Sequence, residues 1–198
     1  MQGFDDLVFC SDEALYFTAH LYLYRPYINS PIKDRFWHVN RWVYPNHQNL
    51  AAKRYAIFAN TICEKVYNYW DRVGDILAAY FPDLIEPSRV YFPTIIDKIP
   101  SSFHECLGFA WLKNFREIEY RELNSLRKKV VHYNSVDTAL KHEHLKDSSD
   151  LEAIEEWVAK RHGLADYYKQ QLSYMLDGFV NMLILIEDIT AIKLSHIP

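Results

Sequence analysis

The 198-residue chain carries 22 Lys and Arg against 26 Asp and Glu, a formal charge of −4, with 49% apolar and 24% charged side chains. That length closes a hydrophobic core without disulfides or metal, and the composition excludes wholesale disorder and a collagen-like repeat. The acidic balance excludes a surface that is basic all round, so any nucleic-acid site must be a local patch. Cys10, Cys63 and Cys106 are odd in number and lack a C-x-x-C pair, so they suggest neither a disulfide framework nor a thiolate zinc site. They read as reduced thiols. The N-terminal MQGFDDLVFC lacks the basic-then-apolar pattern of a leader, and the longest strongly apolar run, Met182 to Ile186, stops at Glu187-Asp188. We expect a single domain over 1–198, cytoplasmic and without a membrane partner. Tyr, Phe and Trp make 16% of the residues; these rings supply core and interface area, or platforms for stacked bases.

In chain order, Ala14, Phe17, Leu21 and Tyr24 follow the capping residues Ser11 and Asp12 at helical spacing, which predicts a first helix stopped before Pro26. The connection from about 25 to 46, with Pro26, Asn29-Ser30-Pro31 and Pro45, is expected to be irregular. Burial of Phe36, Trp37, Val39, Trp42 and Val43 would pin it to the body. Phe58, Ile62, Val66, Tyr69, Val73, Ile76 and Tyr80 advance by fours and threes, the stripe of a long helix that Pro82 ends. Segment 82–100 is punctuated by proline and leaves room for a short strand or helical turn at Val90 to Ile96.

A third long helix is expected from the cap Ser101-Ser102 to about Tyr133, with Leu112, Phe115, Ile118, Leu123, Leu126 and Val130 on its core face and Glu119 interrupting it. Asn134-Ser135 is its stop, and 135–150 reads as a polar connection. Leu151, Ile154, Trp157 and Val158 begin another helix, which Gly163 is expected to break. Tyr168, Leu172, Met175, Phe179, Met182, Ile186 and Ile189 mark the last helix. The fold class that follows is all-α: an up-down bundle of four or five helices, with its core over about 47–190 and a long irregular loop after the first helix.

Chemistry concentrates in Leu126-Arg127-Lys128-Lys129-Val130-Val131-His132-Tyr133-Asn134. An imidazole can move a proton at a 2′-hydroxyl or a leaving oxygen, and a guanidinium can grip a phosphate and neutralise the charge gathering on it. Arg127 and His132 are therefore the candidate catalytic pair, with Lys128, Tyr133 and Asn134 as candidate substrate-binding residues. Such a site needs no metal or cofactor, and it selects RNA because the nucleophile is the 2′-hydroxyl. Five helical steps turn through about 500°, leaving the two side chains about 140° apart. Either the helix unwinds near His132 or a two-fold partner completes the site. The same residues also read as a solvated basic last turn that complements the helix dipole.

Here the chain resembles the HEPN superfamily, small all-helical proteins whose nuclease members carry an Arg, four to six residues and a His near a helix in the C-terminal half. Arg127-x4-His132 matches that pattern, and the resemblance covers about 47–190. It implies homodimers with paired Arg and His at the two-fold, metal-independent endoribonuclease activity in catalytic members, non-catalytic binding modules besides, and roles with an antitoxin protein or in defence.

Between 113 and 132, six cations (Lys113, Arg116, Arg121, Arg127, Lys128 and Lys129) face three glutamates, a basic stripe on an acidic protein. Pairing such as Glu117 with Arg121 would instead make it a solvated face. His142-Glu143-His144 has metal-ligand chemistry, but residues two apart on a helix point about 200° from one another, and a solvated loop is the better reading.

Overall fold

The computed structural model describes residues 2–45, 47–133, 135–144 and 150–195. Among these lie α1 (Gln2–Tyr24), β1 (Phe36–His38), β2 (Arg41–Val43), α2 (Leu50–Ala79), α3 (Phe92–Lys98), α4 (Leu107–Glu117), α5 (Glu119–Tyr133), α6 (Val136–His144) and α7 (Leu151–Ser195). The class is all-α, as the periodicity predicts. The chain divides into two compact units, one of 1–13, 65–125 and 171–198, the other of 14–64 and 126–170.

In the first unit the core is aromatic. Trp70 is wholly buried, with its ring 4.0 Å from that of Phe115 and 5.0 Å from that of Phe92. A Cβ on Gly178 would run into the Trp70 ring, so glycine is what lets α7 lie against it. The Tyr69 hydroxyl donates to the Met175 carbonyl at 2.7 Å, which ties α2 to α7.

A buried polar network organises the second unit. Arg161 of α7 sets Nε 3.2 Å from Oδ1 of Asp137 in α6, and Nη1 donates to the Asn29 carbonyl at 3.3 Å. Gln48 donates to the other Asp137 oxygen, and the Tyr55 hydroxyl to the Arg161 carbonyl. Asn49 caps α2 by accepting the Ala52 N–H at 2.8 Å.

Several expectations change. The first helix begins at Gln2, not Ser11: the Ser11 hydroxyl donates to the Leu7 carbonyl at 2.9 Å, the back-bond of a residue inside a helix. The 25–46 connection holds an antiparallel hairpin with Phe36 opposite Val43, Trp37 opposite Trp42 and His38 opposite Arg41. Val39 and Asn40 turn it with φ of 43° and 58°, the left-handed pair that matches strand twist. Its rings are not buried against the body: Phe36, Trp37 and Trp42 are 50%, 59% and 46% exposed, and Val39 is exposed with them.

Val90 to Ile96 takes the helical option, since α3 starts at Phe92 with the Thr94 hydroxyl accepting the Tyr91 N–H at 2.9 Å. Ser101 and Ser102 lie in a 3-10 turn rather than capping a helix. The third long helix is two helices, because Ile118 leaves helical geometry at φ −108°, ψ −78°. An unbroken helix would carry the charged Glu119 on the Leu112–Phe115 face; with the break Tyr120 joins Leu123 in the core and Ile118 is left exposed. Residues 136–144 of the expected connection form α6, where Ser135 accepts the Thr138 N–H at 2.9 Å. Gly163 does not break α7, which runs 45 residues: one glycine costs a helix interior about 1 kcal/mol, little against its buried face.

Candidate functional site

The candidate site occupies the last two turns of α5. That helix stays regular through Tyr133, so no unwinding brings the pair together. Arg127 is half-buried and His132 exposed; Lys128 is exposed and Tyr133 half-buried. Asn134 lies outside the described residues. Between them Val130 faces the core and Val131 faces outward, which fixes the rotation of the helix.

Arg127 acts on Cys63 of α2. Burial pushes the Cys63 thiol up to about 11, and the nearby Tyr168 hydroxyl and the Arg127 charge offset part of that rise. On a regular helix the imidazole of His132 stands about 140° around the axis from the Arg127 position. The helix does not unwind to bring the two side chains together, so the first of the two routes is closed.

The basic stripe is also divided. Lys113 places Nζ 2.8 Å from Asp97 Oδ1, and Arg116 bonds the other oxygen of that carboxylate. Lys113 lies 3.6 Å from Glu117 too, so Glu117 pairs one turn back along α4 rather than forward with Arg121. Two of the six cations are thereby committed to Asp97.

Among the described residues no three of His, Cys, Asp and Glu come together in a way that could hold a metal ion. The backbone of His142-Glu143-His144 ends α6, and their side chains lie outside the described residues. No helix among the described residues is long and apolar enough to cross a membrane.

Two features escaped the sequence reading. The Arg161–Asp137 pair was hidden because Arg161 looks like an ordinary surface cation; its only signal is that it falls in step with Ile154 and Tyr168 on α7. The hairpin's signal was an Asn turn between two aromatic, β-branched runs.

An all-α chain with an Arg-x4-His pair near the end of a helix defines a small helical protein of the HEPN kind. The match to a family model agrees: residues 17–197 match the model of the HEPN_Cthe2314-like HEPN family, and the chain belongs to that family. The match starts well before 47 and includes the hairpin. Neither a search of curated proteins nor one of solved structures returned a match.

Proposed function

We propose that this HEPN protein cleaves RNA without metal, at a site that two copies complete, with Arg127 and His132 as its working groups. The observation that supports the reading is the regular end of α5, with exposed His132 and half-buried Arg127 on its last two turns. The 2′-oxygen bonds to phosphorus as the bond to the 5′-oxygen breaks. Imidazole takes the 2′-hydroxyl proton and supplies one to the departing oxygen, while guanidinium holds the charge on phosphorus. Lys128, Tyr133 and Asn134 would hold the substrate. Because the pair diverges on one helix, a homodimer is part of the proposal, and an antitoxin covering the exposed imidazole is the partner that fits it.

A second reading, a non-catalytic module that binds a nucleotide, RNA or protein, is favoured by the half-buried position of Arg127 near the end of α5. The deciding experiment is cleavage of a mixed RNA pool in excess EDTA by wild type, Arg127→Ala and His132→Ala, all verified as folded and sized by gel filtration. Activity in wild type that both substitutions remove supports the nuclease. No cleavage by the wild-type protein, or cleavage that survives both substitutions, transfers the assignment to the binding module.

A further inference from the structure

The β1–β2 hairpin holds its aromatic surface out from the core. Residues directly opposite in an antiparallel pair share a face, so Trp37 and Trp42 stand together on one side, and Phe36, His38 and Arg41 on the other. The two indoles meet edge to face at 5.3 Å. The Arg35 guanidinium lies 4.7 Å from the Trp42 ring centroid, while Phe36 and His38 rings stand 6.4 Å apart on the opposite face. Each face therefore joins exposed rings to an arginine. Lys33, Arg35 and Arg41 are opposed by Asp34 alone in this segment, which makes it a positive patch on a chain of net charge −4.

The cross-strand contact of Trp37 with Trp42 steadies the hairpin, yet both of its faces stay open to solvent. Strands of three residues offer too short an edge for an added partner strand to gain much. Flat rings beside guanidinium groups instead match the chemistry of unpaired bases, whose faces stack on aromatics while the phosphates between them meet cations. Charge complementarity selects a polyanion over an apolar protein face.

We infer that the hairpin is a binding site for a single-stranded nucleic acid, with Trp37 and Trp42 as the stacking surface and Arg35 and Arg41 as phosphate contacts. The inference stands apart from the nuclease proposal, because it needs neither Arg127 nor His132.

The test measures anisotropy of a fluorescein-labelled oligouridylate with the full chain in EDTA, for wild type, Trp37→Ala/Trp42→Ala, Trp37→Tyr/Trp42→Tyr, Arg41→Glu and His132→Ala. Circular dichroism and gel filtration accompany each. Wild type is expected to bind with quenching of tryptophan emission and with affinity that falls as salt rises. The double alanine variant should lose about tenfold or more in affinity, the double tyrosine variant should recover much of it, and Arg41→Glu should weaken binding. His132→Ala should bind as wild type does, so failure of the nuclease reading and failure of this one remain distinct. Absence of wild-type binding, or equal binding by the double alanine variant, overturns the inference. So does a double alanine variant that loses only self-association, which would assign the rings to a second copy of the chain.

Discussion

Arg161 and Asp137 form an ion pair with Nε 3.2 Å from Oδ1, and their side chains are only 2% and 4% exposed. The pair joins α7 to α6, and its hydrogen bonds reach Asn29 and Gln48 on either side of the hairpin. Desolvating two charges costs several kcal/mol, offset only while both partners and their hydrogen bonds are present. Asp137→Ala leaves the guanidinium buried beside nothing that neutralises it, and should cost about 3–5 kcal/mol. Urea unfolding of the single variants and of Asp137→Ala/Arg161→Met checks this. The double variant should recover part of the loss; if it is as unstable as the two singles summed, the pair is not coupled.

His162, next to that pair, titrates below its ordinary 6.5, first because it is half-buried and then because Arg161, Lys33 and Arg25 disfavour a further positive charge. A histidine with a depressed folded value binds fewer protons folded than unfolded over that interval. Its contribution to stability is thus present above 6.5 and is lost as pH falls through the folded value. Unfolding free energies measured at about pH 7.5 and about pH 5.5 should fall toward the acid side, and His162→Gln should reduce the slope. A slope unchanged by that substitution would place the acid sensitivity elsewhere.

The long α2 stripe was legible because Ile62, Val66, Tyr69, Val73 and Ile76 are both apolar and buried. The seam of α7 was half legible. Apart from Ala165, its buried residues follow a seven-residue repeat, with Ile154, Arg161, Tyr168, Met175, Met182 and Ile189 in one row and Trp157, Leu164, Gln171, Gly178 and Leu185 in the other. Hydropathy finds Ile154 and Trp157 at the start of the rows, and the first row again from Tyr168 onward. It misses the rest of the second because Gln171 and Gly178 are not apolar, and substitutes the half-buried Leu172, Phe179 and Ile186 beside them. Burial of Arg161 depends on Asp137, and exposure of Trp37 and Trp42 on what the hairpin does not touch; neither is a property of local sequence. The Arg127-x4-His132 spacing was legible as a pattern, while the direction each side chain takes depended on where α5 begins, at the break after Ile118.

Cys63 should be the last of the three thiols to react. It is wholly buried and its thiol is pushed up to about 11, so the nucleophilic thiolate is scarce at neutral pH. Cys10 and Cys106 are also raised by burial but are only half-buried. Titration with an aromatic disulfide reagent near neutral pH should therefore modify Cys10 and Cys106 in the native protein and Cys63 only once urea unfolds it. Modification of Cys63 at native rates comparable to Cys106 would mean that the second unit opens locally around Tyr168.

Gly163 and Gly178 lie on the same helix and should respond oppositely to alanine. Nothing comes within 4 Å of a Cβ built on Gly163, so Gly163→Ala gains helix propensity without a contact to relieve, worth about 0.5–1 kcal/mol. At Gly178 the same methyl meets the end of the Trp70 ring. That ring has nowhere to withdraw, being packed 4.0 Å from Phe115 and 5.0 Å from Phe92. Overpacking of this kind costs about 1–3 kcal/mol and exceeds the propensity gain. Thermal melts should show Gly163→Ala above wild type and Gly178→Ala below it, with Gly178→Ala/Trp70→Phe melting higher than Trp70→Phe plus the Gly178→Ala penalty would give, because the smaller ring leaves room for the methyl. Equal shifts for both glycines would mean that α7 does not approach Trp70 as closely as the buried seam requires.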